Sequence, residues 1–188
     1  SYTASALSFM LEGLKKPVIL TGSQIPFGQL RTDARDNLVT SMLIAANYDI
    51  PEVCLYFGGK LFRGNRTTKV GADQLIAFDS PNFPPLLEAG VKIIPNTHLI
   101  QKADPNQELV LNEFQNHKIA VIKIFPGIQF RTFEGLITKD LKGVVLEAFG
   151  SGNVPGGPNL ERLLKKAKEN ETVVVVCTQC IKGSAVIG

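Results

Sequence analysis

The sequence predicts an α/β protein in which parallel sheets with flanking helices form two domains joined by an irregular, proline-rich connection. Short apolar runs typical of buried strands alternate with longer segments of helical period, first up to residue 57 and again from residue 118. Because parallel strands are joined by crossovers that are usually helical, this alternation favours parallel sheets. The stretch between the halves has no sustained period and carries prolines at positions 81, 84, 85, 95 and 105.

These patterns predict three segments. Residues 1–95 form part of a first α/β domain, residues 96–116 form a linker, and residues 117–188 form part of a second, smaller α/β domain. We expect both domains to be incomplete, because Ser1 already lies in a helical pattern and the chain closes on SAVIG soon after a strand. The sequence is therefore expected to be an internal piece of a longer polypeptide.

In the first half, apolar residues at helical spacing predict a helix over residues 1–14, and Pro17 stops it before the buried strand PVILTG. The next helix is predicted over ARDNLVTSMLIAANY, with Thr32 or Asp33 as its cap, and the strand EVCLYF follows it. The core face of that helix is expected to carry Leu38, Met42, Ala45 and Ala46.

In the second half, the predicted strands are IAVIKIF, GVVLEAFG and TVVVVCTQC. A short helix is expected over TFEGLITKDL and a longer one over PNLERLLKKAKEN, where Pro158 suits the first turn and Asn170 suits the end. The core stripe of the longer helix is expected to be Leu160, Leu163, Leu164 and Ala167.

The composition argues against several classes of partner. Hydrophobic residues make up 44% of the chain and charged residues 20%, as in ordinary globular proteins. A net charge of +3 without an arginine-rich run or an aromatic platform predicts no nucleic-acid partner. The longest apolar runs are far too short for a membrane span, so no membrane partner is expected. Three cysteines fit a reducing compartment better than a disulfide framework.

Cys177 and Cys180 form a C-x-x-C motif at the end of VVVVCTQC. One interpretation is a redox pair, whose reactive form sits at a helix N-terminus. The favoured interpretation is packing, because Cys177 ends a run of β-branched residues and strand alternation would place the two thiols on opposite faces. Cys177 is then expected to be buried and unbonded, with Cys180 near the strand's end. No second cysteine pair or nearby histidine supports a metal site.

Two loops follow predicted strands at the carboxyl edge of a parallel sheet, where ligands usually bind. FGSGNVPGGPNL, residues 149–160, is glycine-rich but lacks both the G-x-G-x-x-G spacing and a P-loop lysine, so we expect a ligand edge without a nucleotide. In LTGSQIPFG, Ser23 and Gln24 could hold a small polar substrate or form an ordinary turn, and spacing alone does not decide.

The segment RGNRTTK, residues 63–69, ends on Lys69 after Thr67 and Thr68. Lys69 is either a solvated charge in a basic loop or a lysine that moves a proton during catalysis. The second role requires partial desolvation or a carboxylate partner. The residue pattern alone leaves both alternatives open.

Seven segments span nearly the whole chain in order: YTASALSFMLE, KPVILTGSQIP, RTDARDNL, LFRGNRTTK, FDSPNFPPLLEAG, FGSGN and CTQC. In this order they resemble the type I, cytoplasmic L-asparaginases, and RGNRTTK followed by SPNFPPL is the most specific part. The resemblance implies a two-domain α/β enzyme of the cytoplasm, assembled as a homodimer or homotetramer. Such an enzyme hydrolyses L-asparagine to aspartate and ammonia without a metal or organic cofactor.

The resemblance also implies which residues act. The family's nucleophile is a threonine in a glycine-rich segment near the N-terminus. A second threonine and an aspartate come from a motif of the form H-G-T-D-T just before the opening helix, so both groups are expected before Ser1. Lys69 matches the lysine that pairs with this aspartate and threonine, activates attack and handles the proton of the leaving ammonia. Thr68 matches the residue before that lysine and lines the site.

Other positions carry over from the same family. Ser23 and Gln24 match the loop that borders the substrate, and Asn153 lies in the loop that reaches toward a neighbouring subunit's site. Some members are activated by asparagine at a second site that includes the cysteine matching Cys180, and these carry a basic residue where this chain has Glu147. Two alternatives remain: a non-catalytic α/β module that binds a small amino acid, and a related amidase for another amide substrate.

Overall fold

The computed structural model describes residues 1–186, and the chain divides into two compact units, Ser1–Phe114 and Gln115–Gly188. The α-helices within the described residues are α1 (Tyr2–Met10), α2 (Ala34–Asn47) and α3 (Pro158–Glu169). None of them is long and apolar enough to cross a membrane. The α/β class predicted from the sequence is confirmed.

The first unit contains one main sheet and two short strand pairs. Its strands are β1 (Leu11–Glu12), β2 (Val18–Leu20), β3 (Val53–Phe57), β4 (Lys60–Arg63), β5 (Thr68–Lys69), β6 (Phe78–Asp79), β7 (Leu87–Ala89), β8 (Ile93–Pro95) and β9 (Val110–Leu111). The main sheet has the order β2-β3-β4-β7-β8, while β1 pairs with β9 and β5 with β6. Strand β3 is buried along its whole length, so the core of this unit surrounds it.

The main sheet is mixed, whereas the sequence pattern favoured an all-parallel one. Strands β2 and β3 are parallel, but β3 and β4 form an antiparallel hairpin, and the pairs that follow are also antiparallel. Gly58 and Gly59 have φ angles of 56° and 82°, a backbone region that glycine adopts at little cost. These two glycines allow the tight turn that reverses the chain.

The opening helix is shorter than the predicted span of residues 1–14. Helix α1 ends at Met10, and the following residues form β1, which pairs antiparallel with β9. Gly13 has a φ of 77°, and a side chain there would collide with the backbone oxygen of Glu108. Much of the segment expected as a linker, residues 96–114, therefore contributes to the first compact unit.

The buried face of α2 is not the predicted one. The four residues expected in its core are exposed: Leu38, Met42, Ala45 and Ala46. The residues that it buries are Ala34, Asn37, Ser41 and Ile44. The prediction was wrong because it followed the apolar side chains alone. The helix instead turns two polar residues inward, where each finds hydrogen-bond partners.

The second unit contains a parallel sheet of β10 (Lys118–Lys123), β11 (Leu141–Ala148) and β12 (Val173–Thr178), in that order. Helix α3 packs on one face, and its Leu163 is fully buried there. On the other face, the strand register aligns four β-branched side chains in two rows across the sheet. Each of the four is 51–65% exposed. These residues, called here the open valine face, are Ile119, Val121, Val173 and Val175.

Two details of the second unit differ from the sequence prediction. TFEGLITKDL forms no α-helix: its first two residues end a 3-10 turn, Phe130–Phe133, and the residues up to Asp140 form only turns and loop. A short segment interrupted by Gly135 is a poor helix former. In α3, Leu160, Leu163 and Ala167 are buried as predicted, but Leu164 is 37% exposed at the margin of the apolar stripe.

Candidate active site

Lys69 ends the short strand β5, directly after the 3-10 turn Gly64–Arg66. Its side chain is exposed, and its Nζ lies 5.6 Å from the ring centre of Phe78. The ammonium donates a hydrogen bond to Oε1 of Gln24 at 3.1 Å. Within residues 1–186, Lys69 forms no ion pair with a carboxylate.

Three of the predicted site residues surround one cavity. Lys69, Ser23 and Gln24 line a space of about 230 Å³ that opens at the carboxyl ends of β2 and β3. Ser1, at the start of α1, lines the same cavity. Thr68 lines a neighbouring cavity of about 290 Å³, and Ser1 also contributes to that wall. The start of α1 therefore lies beside the RGNRTTK segment.

The base of that segment is fixed by a buried ion pair. Arg63 Nε donates to Oε2 of Glu52 at 2.5 Å, and Arg63 Nη2 donates to the backbone oxygen of Leu99 at 2.8 Å. Glu52 is 5% exposed, and the guanidinium of Arg63 stacks over the Phe83 ring at 4.4 Å. Arg63 thus has a structural role, whereas the ammonium of Lys69 lines the cavity.

The loop that carries Ser23 and Gln24 is held by two residues that sequence analysis did not assign to the site. The carboxylate of Asp33 accepts hydrogen bonds from the backbone amides of Gln24, at 3.0 and 3.1 Å, and Ile25, at 2.9 Å. Asn37 donates through Nδ2 to the oxygen of Gly22 at 3.0 Å and to Asp33 Oδ2 at 3.2 Å. The signal available in the sequence was the pair of polar residues four apart at the start of α2.

Asp33 occupies the N-cap position of α2, and Thr32, the other cap candidate, precedes it and hydrogen-bonds the first amide of the helix. Thr32 Oγ1 accepts from the amide of Ala34 at 3.1 Å and donates to the oxygen of Ile25 at 2.9 Å. Asp33 makes no side-chain cap bond to the helix. Its carboxylate is directed instead to the loop.

The electrostatics of Asp33 suit this role. Partial burial acts to raise its pKa, but hydrogen bonds from the amides of Ile25 and Gln24 and from Asn37 outweigh that effect. The net result is a pKa of Asp33 below the usual range for aspartate. The side chain is therefore an acceptor for both amides throughout the neutral pH range.

Asn153 and Cys180, the remaining predicted site residues, lie in the second unit. Asn153 is exposed in a tight turn, where its backbone exchanges two hydrogen bonds of 2.9 Å with Phe149. Cys180 is exposed just after β12, and its amide donates to Thr178 Oγ1 at 3.0 Å.

All three cysteines are free thiols. Cys177 is half-buried and not buried as predicted, because it follows Val173 and Val175 on the open valine face. Its pKa is raised, first by burial and second by the charge of Glu147. A raised pKa is the opposite of what a reactive redox cysteine requires.

Fold and site together define an α/β protein with a small polar cavity at the carboxyl edge of its sheet. Residues 1–101 match the family model described as Asparaginase, N-terminal, and residues 118–188 match the Glutaminase/Asparaginase C-terminal domain. The chain belongs to the asparaginase family, and the resemblance predicted from its motifs is confirmed.

The relatives include whole proteins that are much longer. L-asparaginase 1 of Escherichia coli is 45% identical over 190 residues, which cover 100% of this chain and 55% of the relative. The 60 kDa lysophospholipase of Mus musculus is 45% identical over 184 residues, covering 98% and 33%. The crystal structure of L-asparaginase I from Vibrio cholerae matches with a TM-score of 0.93 at 45% identity, covering 100% and 57%. The chain thus spans about half or less of these relatives.

Proposed function

We propose that this chain is part of an amidohydrolase that converts L-asparagine and water to L-aspartate and ammonia. The main support is geometric: Lys69, Ser23 and Gln24 meet around one cavity, and the first residue of α1 completes its wall. Two of the relatives, each 45% identical, are named L-asparaginases.

The proposed nucleophile is a threonine hydroxyl in a segment before Ser1. Its oxygen bonds to the side-chain amide carbon of asparagine, and ammonia leaves with the hydroxyl proton. Water then hydrolyses the resulting ester, which releases aspartate and restores the hydroxyl. This sequence of steps needs a group that moves a proton between the hydroxyl, the leaving nitrogen and water.

Lys69 is proposed as part of that proton-transfer group, together with an aspartate and a second threonine before Ser1. Ser1 lines both cavities that contain Lys69, so residues joined directly before it would lie beside the ammonium. A carboxylate placed there would supply the charged partner that a reactive lysine requires.

The other predicted residues take supporting roles in this proposal. Ser23, Gln24 and Thr68 contact the substrate, and Asn153 contributes to the site of a neighbouring subunit. Cys180 belongs to a second site for an effector, although Glu147 stands where activated relatives carry a basic residue. No metal or organic cofactor takes part in the proposed steps.

We also propose a homodimer or homotetramer in the cytoplasm, with no nucleic-acid or membrane partner. The proposed domains are residues 1–95, the C-terminal part of an N-terminal catalytic domain, and residues 117–188, part of a smaller C-terminal domain. The connecting residues 96–116 belong mostly to the first compact unit. The family matches leave a gap between residues 101 and 118, which supports a division in this region.

Another hydrolytic substrate is the second candidate. A relative 45% identical to this chain is named a lysophospholipase, which would direct the same nucleophile at an ester. Glutamine is a further amide candidate. Selectivity for one methylene is worth only about 1–3 kcal/mol, so it has to be measured.

The test is a parallel assay of the full-length polypeptide with L-asparagine, L-glutamine and lysophosphatidylcholine. Ammonia release from asparagine at a kcat/KM at least about tenfold above that for glutamine is expected. Fatty-acid release as the dominant reaction would identify an esterase. Calorimetric binding of asparagine without turnover would identify a non-catalytic module.

A further inference from the structure

We propose that Asp33 and Asn37 form a loop clamp that positions Gln24 and, through Gln24, the ammonium of Lys69. They are positioning residues, because neither reaches the cavity itself. The catalytic consequence of the clamp rests on the proposed function, but its geometry does not.

The clamp closes a loop that has no regular secondary structure of its own. Residues 21–33 contain no helix or strand, and the side chains at the tip are exposed, Phe27 to 55% and Leu30 to 95%. Loops of this kind move readily unless their bases are tied. Both ends of this loop meet the first turn of α2, so the orientation of Gln24 depends on contacts made there.

Asp33 fixes the backbone at Gln24. Its carboxylate accepts hydrogen bonds from two consecutive backbone amides, those of Gln24 and Ile25, at distances of up to 3.1 Å. Hydrogen bonds to an ionised acceptor are roughly twice as strong as those between neutral groups. Two adjacent amides directed at one carboxylate leave the intervening peptide group with little rotational freedom.

Asn37 joins this arrangement to the central sheet. It is 2% exposed, and its Oδ1 accepts from the amide of Gly58 at 3.2 Å at the end of β3. Its Nδ2 donates to Gly22 and to Asp33. A buried amide with three hydrogen bonds is a rigid bridge, because releasing any of them leaves a polar atom unsatisfied. The loop base is thereby tied to β3.

The side chain of Gln24 connects the clamped loop to Lys69 by a hydrogen bond. Its Nε2 donates to the oxygen of Ala72 at 2.9 Å, which requires Oε1 to face the ammonium of Lys69. An amide oxygen orients the ammonium without being able to take its proton at neutral pH. Gln24 therefore holds Lys69 in place while leaving its proton available to a catalytic carboxylate.

The test uses full-length polypeptide carrying Asp33→Asn, Gln24→Met, both together, or Asp36→Asn. Asp36 is an exposed acid in the same helical turn and serves as the matched control. For Asp33→Asn we expect amide hydrogen exchange at Gln24 and Ile25 to accelerate about tenfold or more, since a hydrogen bond to a charged group is lost. Acetylation of Lys69, followed by mass spectrometry, should accelerate in both single variants.

In kinetics with asparagine, Asp33→Asn should lower kcat by about tenfold to a hundredfold, with a smaller change in KM, because a misplaced proton-transfer group slows chemistry more than binding. The double variant should be no worse than Gln24→Met, since both substitutions break one chain of contacts. Asp36→Asn should match the unsubstituted protein in every measurement.

The outcomes separate the clamp from the proposed function. Unchanged amide exchange and Lys69 acetylation in Asp33→Asn would overturn the clamp, whatever the activity. Changed exchange and acetylation with an unaltered kcat would overturn the positioning role. Changed exchange and acetylation in a protein that never hydrolyses asparagine would leave the clamp in place and remove the proposed function instead.

Discussion

The surroundings of Lys69 define what it needs in order to react. Its ammonium contacts a neutral amide and the face of the Phe78 ring, and neither group accepts a proton at neutral pH. Proton transfer therefore requires a further partner, which the proposed aspartate before Ser1 would supply.

Replacement of Lys69 by methionine in the full-length polypeptide should lower kcat for asparagine by about 10²–10⁴-fold, the usual contribution of general acid–base catalysis. Circular dichroism and thermal unfolding should be unchanged, because the side chain is exposed. The control is Lys92→Met, another exposed lysine of the first unit. Ammonia release by a folded Lys69→Met variant at the unsubstituted rate would remove Lys69 from the mechanism.

A pH dependence of stability follows from Asp33. Its pKa is depressed in the folded chain, so its contribution is fully present above the ordinary aspartate pKa of about 3.9 and is lost as pH falls through the depressed value. Asp33→Asn should lower the free energy of unfolding by about 1–2 kcal/mol at pH 7, and the difference should disappear in strong acid. Urea titrations at several pH values measure this. A constant difference between the two proteins down to pH 2 would contradict it.

At the residue scale, three residues named from the sequence line one cavity of the candidate site. The rule that ligands bind at the carboxyl edge of parallel strands placed Ser23 and Gln24 correctly near such an edge. Family motifs, and not spacing, are the basis on which Lys69 is proposed as a proton-transfer residue. The polar pair Asp33 and Asn37 was visible in the sequence, but its role was not, because the partners lie up to 21 residues away and meet it only after folding.

At the scale of elements, α2 buries polar residues that form hydrogen bonds, although its apolar periodicity predicted a different buried face. The helix buries Asn37 and Ser41 toward the sheet and leaves Met42 63% exposed. A prediction based on apolar periodicity selects the opposite face, because it cannot register hydrogen bonds between distant segments. The mixed sheet has a local origin instead, since two adjacent glycines with positive φ allow the turn that makes β4 antiparallel to β3.

Two side-chain truncations on α2 test which of its faces is buried. Ile44→Ala should lower the free energy of unfolding by about 2–5 kcal/mol, because Ile44 is fully buried and a cavity would remain. Met42→Ala should change it by less than about 0.5 kcal/mol. Denaturant titration of both variants distinguishes the two faces, and a larger loss at Met42 would restore the face predicted from sequence.

At the scale of the whole molecule, the first unit presents a free sheet edge. Strand β2 ends the order of the main sheet and pairs, within the described residues, with β3 alone. An apolar strand with an unpaired edge is a site of association unless another segment covers it. The edge lies beside the cavity that contains Lys69. A segment that covered β2 would therefore also lie close to the candidate active site.

The 188-residue chain by itself should therefore not hydrolyse asparagine. The proposed nucleophile and aspartate both precede Ser1, and among residues 1–186 no carboxylate pairs with Lys69 to take part in catalytic proton transfer. The measurement is ammonia release by the purified chain, with and without the preceding segment of the full-length polypeptide added in trans. Turnover by the chain alone would show that its catalytic groups lie within residues 1–188 and that the assignment is wrong.

The open valine face is expected to lower the solubility of the isolated chain at high salt concentration. Sulfate is excluded from protein surfaces and favours any contact that removes apolar area from water, so exposed Val121 and Val175 should promote salting-out. Threonine has nearly the shape of valine but adds a hydroxyl. The isolated chain with both residues replaced by threonine should accordingly stay dissolved to a higher ammonium sulfate concentration than the unsubstituted chain.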